Sequence, residues 1–102
     1  MIHVLATVTT LPGKRDEVLA LFRNNVPNVL AEEGCLSYEA CIDVPEFGKI
    51  QTPVGPDTFI VIERWASADA LKAHAASSHM AEYGRATASL LASRAINVLQ
   101  AC

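Results

Sequence analysis

The stretch Asp-Thr-Phe-Ile-Val-Ile-Glu-Arg-Trp-Ala, residues 57–66, constrains the fold more than any other. Its β-branched and aromatic residues predict a strand. Side chains alternate across a strand, so Thr58, Ile60 and Ile62 share one face while Phe59, Val61 and Trp65 share the other. Both faces carry apolar bulk. The N-terminal run 2–10, Ile-His-Val-Leu-Ala-Thr-Val-Thr-Thr, repeats the pattern with Val4, Ala6 and Val8 on one face and Leu5 on the other. A sheet built on these strands cannot leave either face to water.

The rest of the chain supplies cover for one face only. After Pro12-Gly13, placed near a helix start, the apolar residues Val18, Leu19, Phe22, Val26, Val29 and Leu30 form a helical stripe. Glu32 and Glu33 lie mainly off it. Pro27 inside the stripe predicts a kink or break near Asn25, and Gly34 is expected to cap the end. Residues 35–44 read as a second strand, with Leu36, Tyr38, Ala40, Ile42 and Val44 on one face. Ser67, with Asp69 in the following turn, predicts a helix running to about residue 76. Ser77 or Ser78 is suited to cap another, over about 79–92, with Met80, Tyr83, Leu90 and Leu91 among its apolar members. A last strand, 94–100, has Ile96 and Val98 on one face and Asn97 and Leu99 on the other.

The order is β-α-β-β-α-β, so the expected fold is α+β, ferredoxin-like, one domain over residues 1–102. Right-handed crossovers put the helices on one face of an antiparallel sheet. The economical cover for the other face is a second copy of the chain, two sheets packing with two-fold symmetry. Residues 45–56 hold Pro45, Gly48, Pro53, Gly55 and Pro56 and read as a long loop, of the kind that serves as a lid or an interface arm.

Composition narrows the partners. Net charge is −3, and the eight Lys and Arg are scattered rather than gathered in a patch, so neither nucleic acid nor an anionic membrane surface is expected. No stretch has the apolar length of a membrane span, and Met1-Ile2-His3-Val4-Leu5 lacks the basic leader of a signal peptide. Cys35 and Cys41, on one strand, would be roughly 20 Å apart, beyond the roughly 7 Å reach of a disulfide. With Cys102 they read as free thiols in a reducing compartment, which points to the cytoplasm. No close Cys/His pairs flank a turn, so no metal is expected.

Two segments carry a family resemblance. Val-Pro-Asn-Val-Leu-Ala-Glu-Glu-Gly-Cys (26–35) and residues 59–80, with Glu-x-Trp, Leu-x-x-His and Ser-x-His, resemble the antibiotic biosynthesis monooxygenase family, most closely its bacterial quinol monooxygenase branch. The resemblance implies a homodimeric α+β barrel with a pocket between each sheet and its helices. It also implies oxidation of a quinol or other hydroxylated aromatic by O₂ with no cofactor, the substrate supplying the electrons. Such a site needs a base, one or two hydrogen-bond donors and an apolar enclosure. Haem-degrading relatives use an asparagine on the first strand, a tryptophan on the second helix and a histidine one turn later. Here those places hold Thr7, His74 and Ser78 or its neighbours, which argues against haem breakdown.

His74 is the first candidate base, since its spacing from Ala70 and Leu71 turns it toward the core and histidine titrates near neutral pH. The competing reading is a structural histidine satisfied by Glu63 or a backbone carbonyl. His79 is the second candidate, against a surface residue near a cap. Five residues apart, the two would diverge by about 140° on one continuous helix, and could converge only if the chain breaks at Ser77-Ser78. Trp65 and Phe59 are candidates for an aromatic wall, although ordinary packing explains them as well. Tyr38 is a candidate donor, Glu63 an orienter of histidine or an interface ion-pair partner, and Thr7 and Asn97 pocket residues from the outer strands. Two other functions use the same scaffold. A non-redox enzyme such as an isomerase would use the same histidine without oxygen uptake, and a binding module would have an apolar pocket with no base.

Overall fold

The computed structural model describes residues 1–102. The elements are β1 (Ile2–Thr10), α1 (Arg15–Leu30), β2 (Cys35–Cys41), β3 (Thr58–Trp65), α2 (Ala68–Ala75), α3 (Ser78–Thr87), a short 3₁₀ turn (Ala88–Leu90) and β4 (Leu91–Leu99). The strands form one antiparallel sheet in the order β2-β3-β1-β4, the ferredoxin-like arrangement. The two strands with apolar residues on both faces, β1 and β3, take the central places.

Register divides the sheet into two faces. Val4 pairs with Glu63, Ala6 with Val61 and Val8 with Phe59, and all of these face the helices. The core joins them to Val18, Leu19, Phe22 and Val29 of α1, with Tyr38 and Trp65. Phe22 is its aromatic hub, stacked on Tyr38 at 5.1 Å between centroids and edge-on to Phe59 at 6.1 Å. On the opposite face Leu5 meets Ile62, and Leu99 meets His3. No helix covers that side, and Leu5, Ile62 and Leu99 remain 37%, 38% and 45% exposed.

Three local expectations are revised. Of the kink or break expected near Asn25 the break is absent, since helix α1 continues through Pro27. Pro27 and Arg23 are both exposed, so the carbonyl that loses its proline partner faces water. Its C-cap is Ala31 rather than Gly34. Gly34, at φ +84°, instead closes the turn into β2, and its carbonyl accepts from the Ala66 N–H at 2.8 Å. The helix expected to reach residue 92 ends at Thr87, and β4 begins at Leu91 rather than 94. Leu90 and Leu91 are apolar in either element, and periodicity alone does not separate a buried helical turn from the start of a strand. The chain does break where convergence of the two histidines requires it. Ser67 caps α2 by accepting from the Ala70 N–H at 3.1 Å. Ser77 caps α3 by accepting from the Met80 N–H at 3.4 Å, while its hydroxyl donates to the His74 carbonyl at 2.8 Å.

Candidate functional site

That serine turn positions the site. With Ser77 bonded both to the end of α2 and to the start of α3, the chain doubles back and the rings of His74 and His79 come within 6.4 Å. Glu32 lies between them, in the turn after α1. Its Oε2 is 2.7 Å from His74 Nδ1 and its Oε1 is 2.7 Å from His79 Nε2. Both contacts have the short length of charge-assisted hydrogen bonds. His74 packs against Trp65 at 4.7 Å between centroids and edge-on to Tyr38 at 5.6 Å.

His74 also lines a cavity of about 520 Å³ between the sheet and the helices. Its walls are mostly apolar, built from residues such as Val8, Phe22, Val61, Leu71, Met80 and Leu91. Size and lining suit a single flat ring system. The lining residues with polar side-chain atoms are His74, Glu63, Tyr38, Tyr83, Thr87 and Arg94. Burial pushes the Tyr38 phenol far above its usual range and the Tyr83 phenol up to about 12, Arg94 partly opposing the second shift. Both tyrosines therefore keep their protons at neutral pH and remain hydrogen-bond donors.

Glu63 is buried and accepts from Trp65 Nε1–H at 2.9 Å. Burial pushes its carboxyl above the ordinary glutamate value, and the Trp65 bond and the nearby His74 only partly offset this. The folded protein thus holds that proton more tightly than the unfolded chain does. Stability from this source is complete below the ordinary value of 4.5 and is lost as pH rises through the raised one. Glu63→Gln keeps the acceptor for Trp65 and removes the buried charge. Its melting temperature is expected to gain on the wild type as pH rises above 4.5, the gap widening until the carboxyl is fully ionised in the folded protein. Parallel melting curves across that range would refute the assignment of a buried charge.

The structure gathers some of the sequence candidates and separates others. His74, Tyr38 and Glu63 line the cavity; Trp65 lies beneath His74, fully buried. His79 reaches the cluster through Glu32 and does not line the cavity. Phe59 is fully buried in the core beside Phe22 and forms no wall. Thr7 and Asn97 lie on the other face of the sheet. Thr7 pairs with Ile60 and Ala95, and Asn97 with Leu5, so strand alternation points both away from the helices. The loop spanning 45–56 contributes no residue to the cavity. It is pinned at its neck by Asp43, whose carboxylate accepts from the N–H groups of Val54 and Gly55 and is held below its usual range by those bonds.

Sequence reasoning missed Glu32, Tyr83 and Arg94. Glu32 falls off the apolar stripe of α1 and looks like a solvated turn residue. Its partners are 42 and 47 residues away. The available signal was partial: a histidine turned inward needs a partner, and in the structure Glu63 is engaged by Trp65 while Glu32 takes that place. Arg94 shares its face with Ile96, which alternation on β4 does indicate.

Comparison with known proteins follows the same lines. The sequence model of the antibiotic biosynthesis monooxygenase family matches residues 1–86. An Escherichia coli K12 protein, "Probable quinol monooxygenase YgiN", is 36% identical over 98% of this chain and 97% of its own length. Among solved structures, PA3566 from Pseudomonas aeruginosa superposes with a TM-score of 0.81 at 27% identity, covering 99% of this chain and 93% of its own. A structure described as an antibiotic biosynthesis monooxygenase superposes with a TM-score of 0.82 at 25% identity, over 100% of this chain and 99% of its own.

Proposed function

The chain belongs to the antibiotic biosynthesis monooxygenase family, and from that premise we propose that it oxidises a quinol or a related hydroxylated aromatic with O₂, using His74 as general base. The observation that carries this reading is a buried histidine with one ring nitrogen committed to a carboxylate and its ring lining an apolar cavity. The name of the E. coli relative supports the substrate class.

The chemistry closes without an outside reductant. A quinol with a free ring C–H plus O₂ gives a hydroxyquinone plus water. Four electrons leave the substrate, two in converting quinol to quinone and two in converting C–H to C–OH. His74 Nε2 takes a hydroxyl proton from the quinol. The resulting anion, far richer in electrons than the neutral quinol, is what reacts with O₂. The hydroxyls of Tyr38 and Tyr83 donate to the developing oxyanion, and Arg94 is the cation of the lining. The apolar walls exclude water that would compete for those donors. The proton on His74 returns to the oxygen that leaves as water, which restores the base.

The direct test is oxygen uptake by metal-stripped protein over a panel of reduced quinols, corrected for autoxidation, with ¹⁸O₂ used to trace the product. One labelled atom in the product and one in water supports a monooxygenase. No uptake above background with any quinol overturns the reading in favour of a non-redox enzyme or a binding module.

The same reading assigns the uncovered face of the sheet to a second copy. Leu5, Ile60, Ile62 and Leu99 form its apolar centre, and Glu39, Arg64 and His3 share that face. Ile62→Glu puts a charge in the middle of that centre, and two-fold symmetry places it there twice. Desolvating a charge costs several kcal/mol, so the dimer dissociation constant is expected to rise by about 10³-fold or more. Sedimentation at micromolar concentration should show a dimeric wild type and a monomeric variant. A monomeric wild type would sink this assignment.

A further inference from the structure

The two histidines around Glu32 differ in what their second ring nitrogen faces. His74 gives Nδ1 to the carboxylate, its Nε2 has no partner in the protein, and the residue lines both the cavity and the outer groove beside Glu32. His79 gives Nε2 to the carboxylate, its Nδ1 is buried with no partner, and none of it lines the cavity. An ionised carboxylate only accepts hydrogen bonds, so each nitrogen facing it carries the proton. That geometry favours the Nδ1–H form of His74, which leaves its Nε2 without a protein partner, and the Nε2–H form of His79, whose Nδ1 is buried and unpartnered.

We infer that Glu32 is the positioning residue that makes His74 a base, and that His79 is the brace of that carboxylate rather than a second base. The catalytic consequence rests on the monooxygenase reading above; the tautomer lock does not. When His74 takes the substrate proton at Nε2, the ring becomes a cation in apolar surroundings. Glu32, already bonded to Nδ1, is the counter-charge, so the pair passes from a net charge of −1 to zero rather than from zero to +1. No atom has to move to meet the new charge. The proton stays on Nε2, facing the anion it came from, and leaves on the departing oxygen. His79 keeps the other carboxylate oxygen occupied. Without it Glu32, which borders an outer groove together with His74, His79, Asn28 and Ser77, is free to turn toward water. The other titratable groups near the cluster are engaged elsewhere or bond neither ring: Glu63 accepts from Trp65, the Cys35 thiol lies 4.0 Å from the Ser37 carbonyl, and Tyr38 meets His74 only with its ring.

Nitrogen-15 NMR of histidine-labelled, ligand-free protein reads the tautomers directly. His74 is expected as a single Nδ1–H form and His79 as a single Nε2–H form. In Glu32→Gln the His74 signal should move toward a mixture of tautomers, and kcat should fall about 10–100-fold while KM changes less than threefold. Formate should restore part of the turnover of Glu32→Ala, which a merely structural defect would not allow. His79→Ala should leave the His74 tautomer largely in place and lower kcat about 3–10-fold. Mixed His74 tautomers in the wild type would overturn the assignment. So would a loss in His79→Ala as large as that in His74→Ala, with the variant folded by circular dichroism. Fixed tautomers in a protein that oxidises no quinol would overturn the monooxygenase reading and uphold the lock.

Discussion

Quinol-dependent oxygen uptake is expected to fall by about 10²–10⁴-fold in His74→Ala. The loss has one dominant source. The cavity lining contains one other candidate base, Glu63, and its Oε1 already accepts from Trp65 Nε1–H at 2.9 Å. His74 is therefore the base the cavity offers without breaking a bond. His79 cannot substitute, because its free nitrogen is sealed away from the cavity. Removing a ring that is 5% exposed also leaves a gap beside Trp65 and deprives Glu32 of one donor. The variant should lose about 1–3 kcal/mol of stability, so rates are best compared well below its melting temperature. Equal uptake by the two proteins after autoxidation is subtracted would leave oxidation standing and remove His74 as its base. Recovery of turnover with added imidazole would locate the defect in proton transfer rather than in binding.

Much of the architecture was legible because it depends on local pattern. The double-faced strands β1 and β3, the alternation on β4 and the serine caps at Ser67 and Ser77 are written in adjacent residues. They sufficed for the ferredoxin-like order and for the uncovered apolar face. The site was legible in part. His74 announced itself by its turn-spacing from Ala70 and Leu71, and the alternation of β3 put Glu63 on the helix-facing side. The convergence of His79 on His74 was conditional on a break that the sequence permits at Ser77 but does not require. Glu32 was not legible, because a carboxylate in a turn has the same local signature whether it meets water or two imidazoles. Thr7 and Asn97 went astray for a simpler reason. The outer and inner faces of β1 and β4 are both apolar enough that polarity did not tell which face held the pocket. Register decides it: Ala6 pairs with Ile96 on the helix side, and Leu5 pairs with Asn97 on the other.

Gly34→Ala is expected to destabilise the protein by about 3 kcal/mol, through two separable effects. Gly34 has φ +84°, a conformation costing an L-residue about 1–2 kcal/mol. A Cβ added there would also lie 2.6 Å from the Cβ of Ala70. That contact is between backbone-fixed atoms, so α2 or the turn must shift, at about 1–3 kcal/mol. With about 4–8 °C per kcal/mol for a domain of this size, the melting temperature should drop by roughly 10–25 °C. Pairing the substitution with Ala70→Gly relieves the collision and leaves the backbone cost. A double-mutant cycle should therefore show about 1–3 kcal/mol of favourable coupling, and strict additivity would mean that the two segments do not press together. The consequence for function follows from position. Residues 31–34 form the turn that holds Glu32 over α2, and α2 carries His74. A shift that separates Gly34 from Ala70 moves the turn carrying Glu32 relative to the helix carrying His74 and is expected to weaken their 2.7 Å bond. Oxygen uptake in folded Gly34→Ala should therefore fall more than its unfolded fraction accounts for, and the Ala70→Gly partner should restore uptake along with stability.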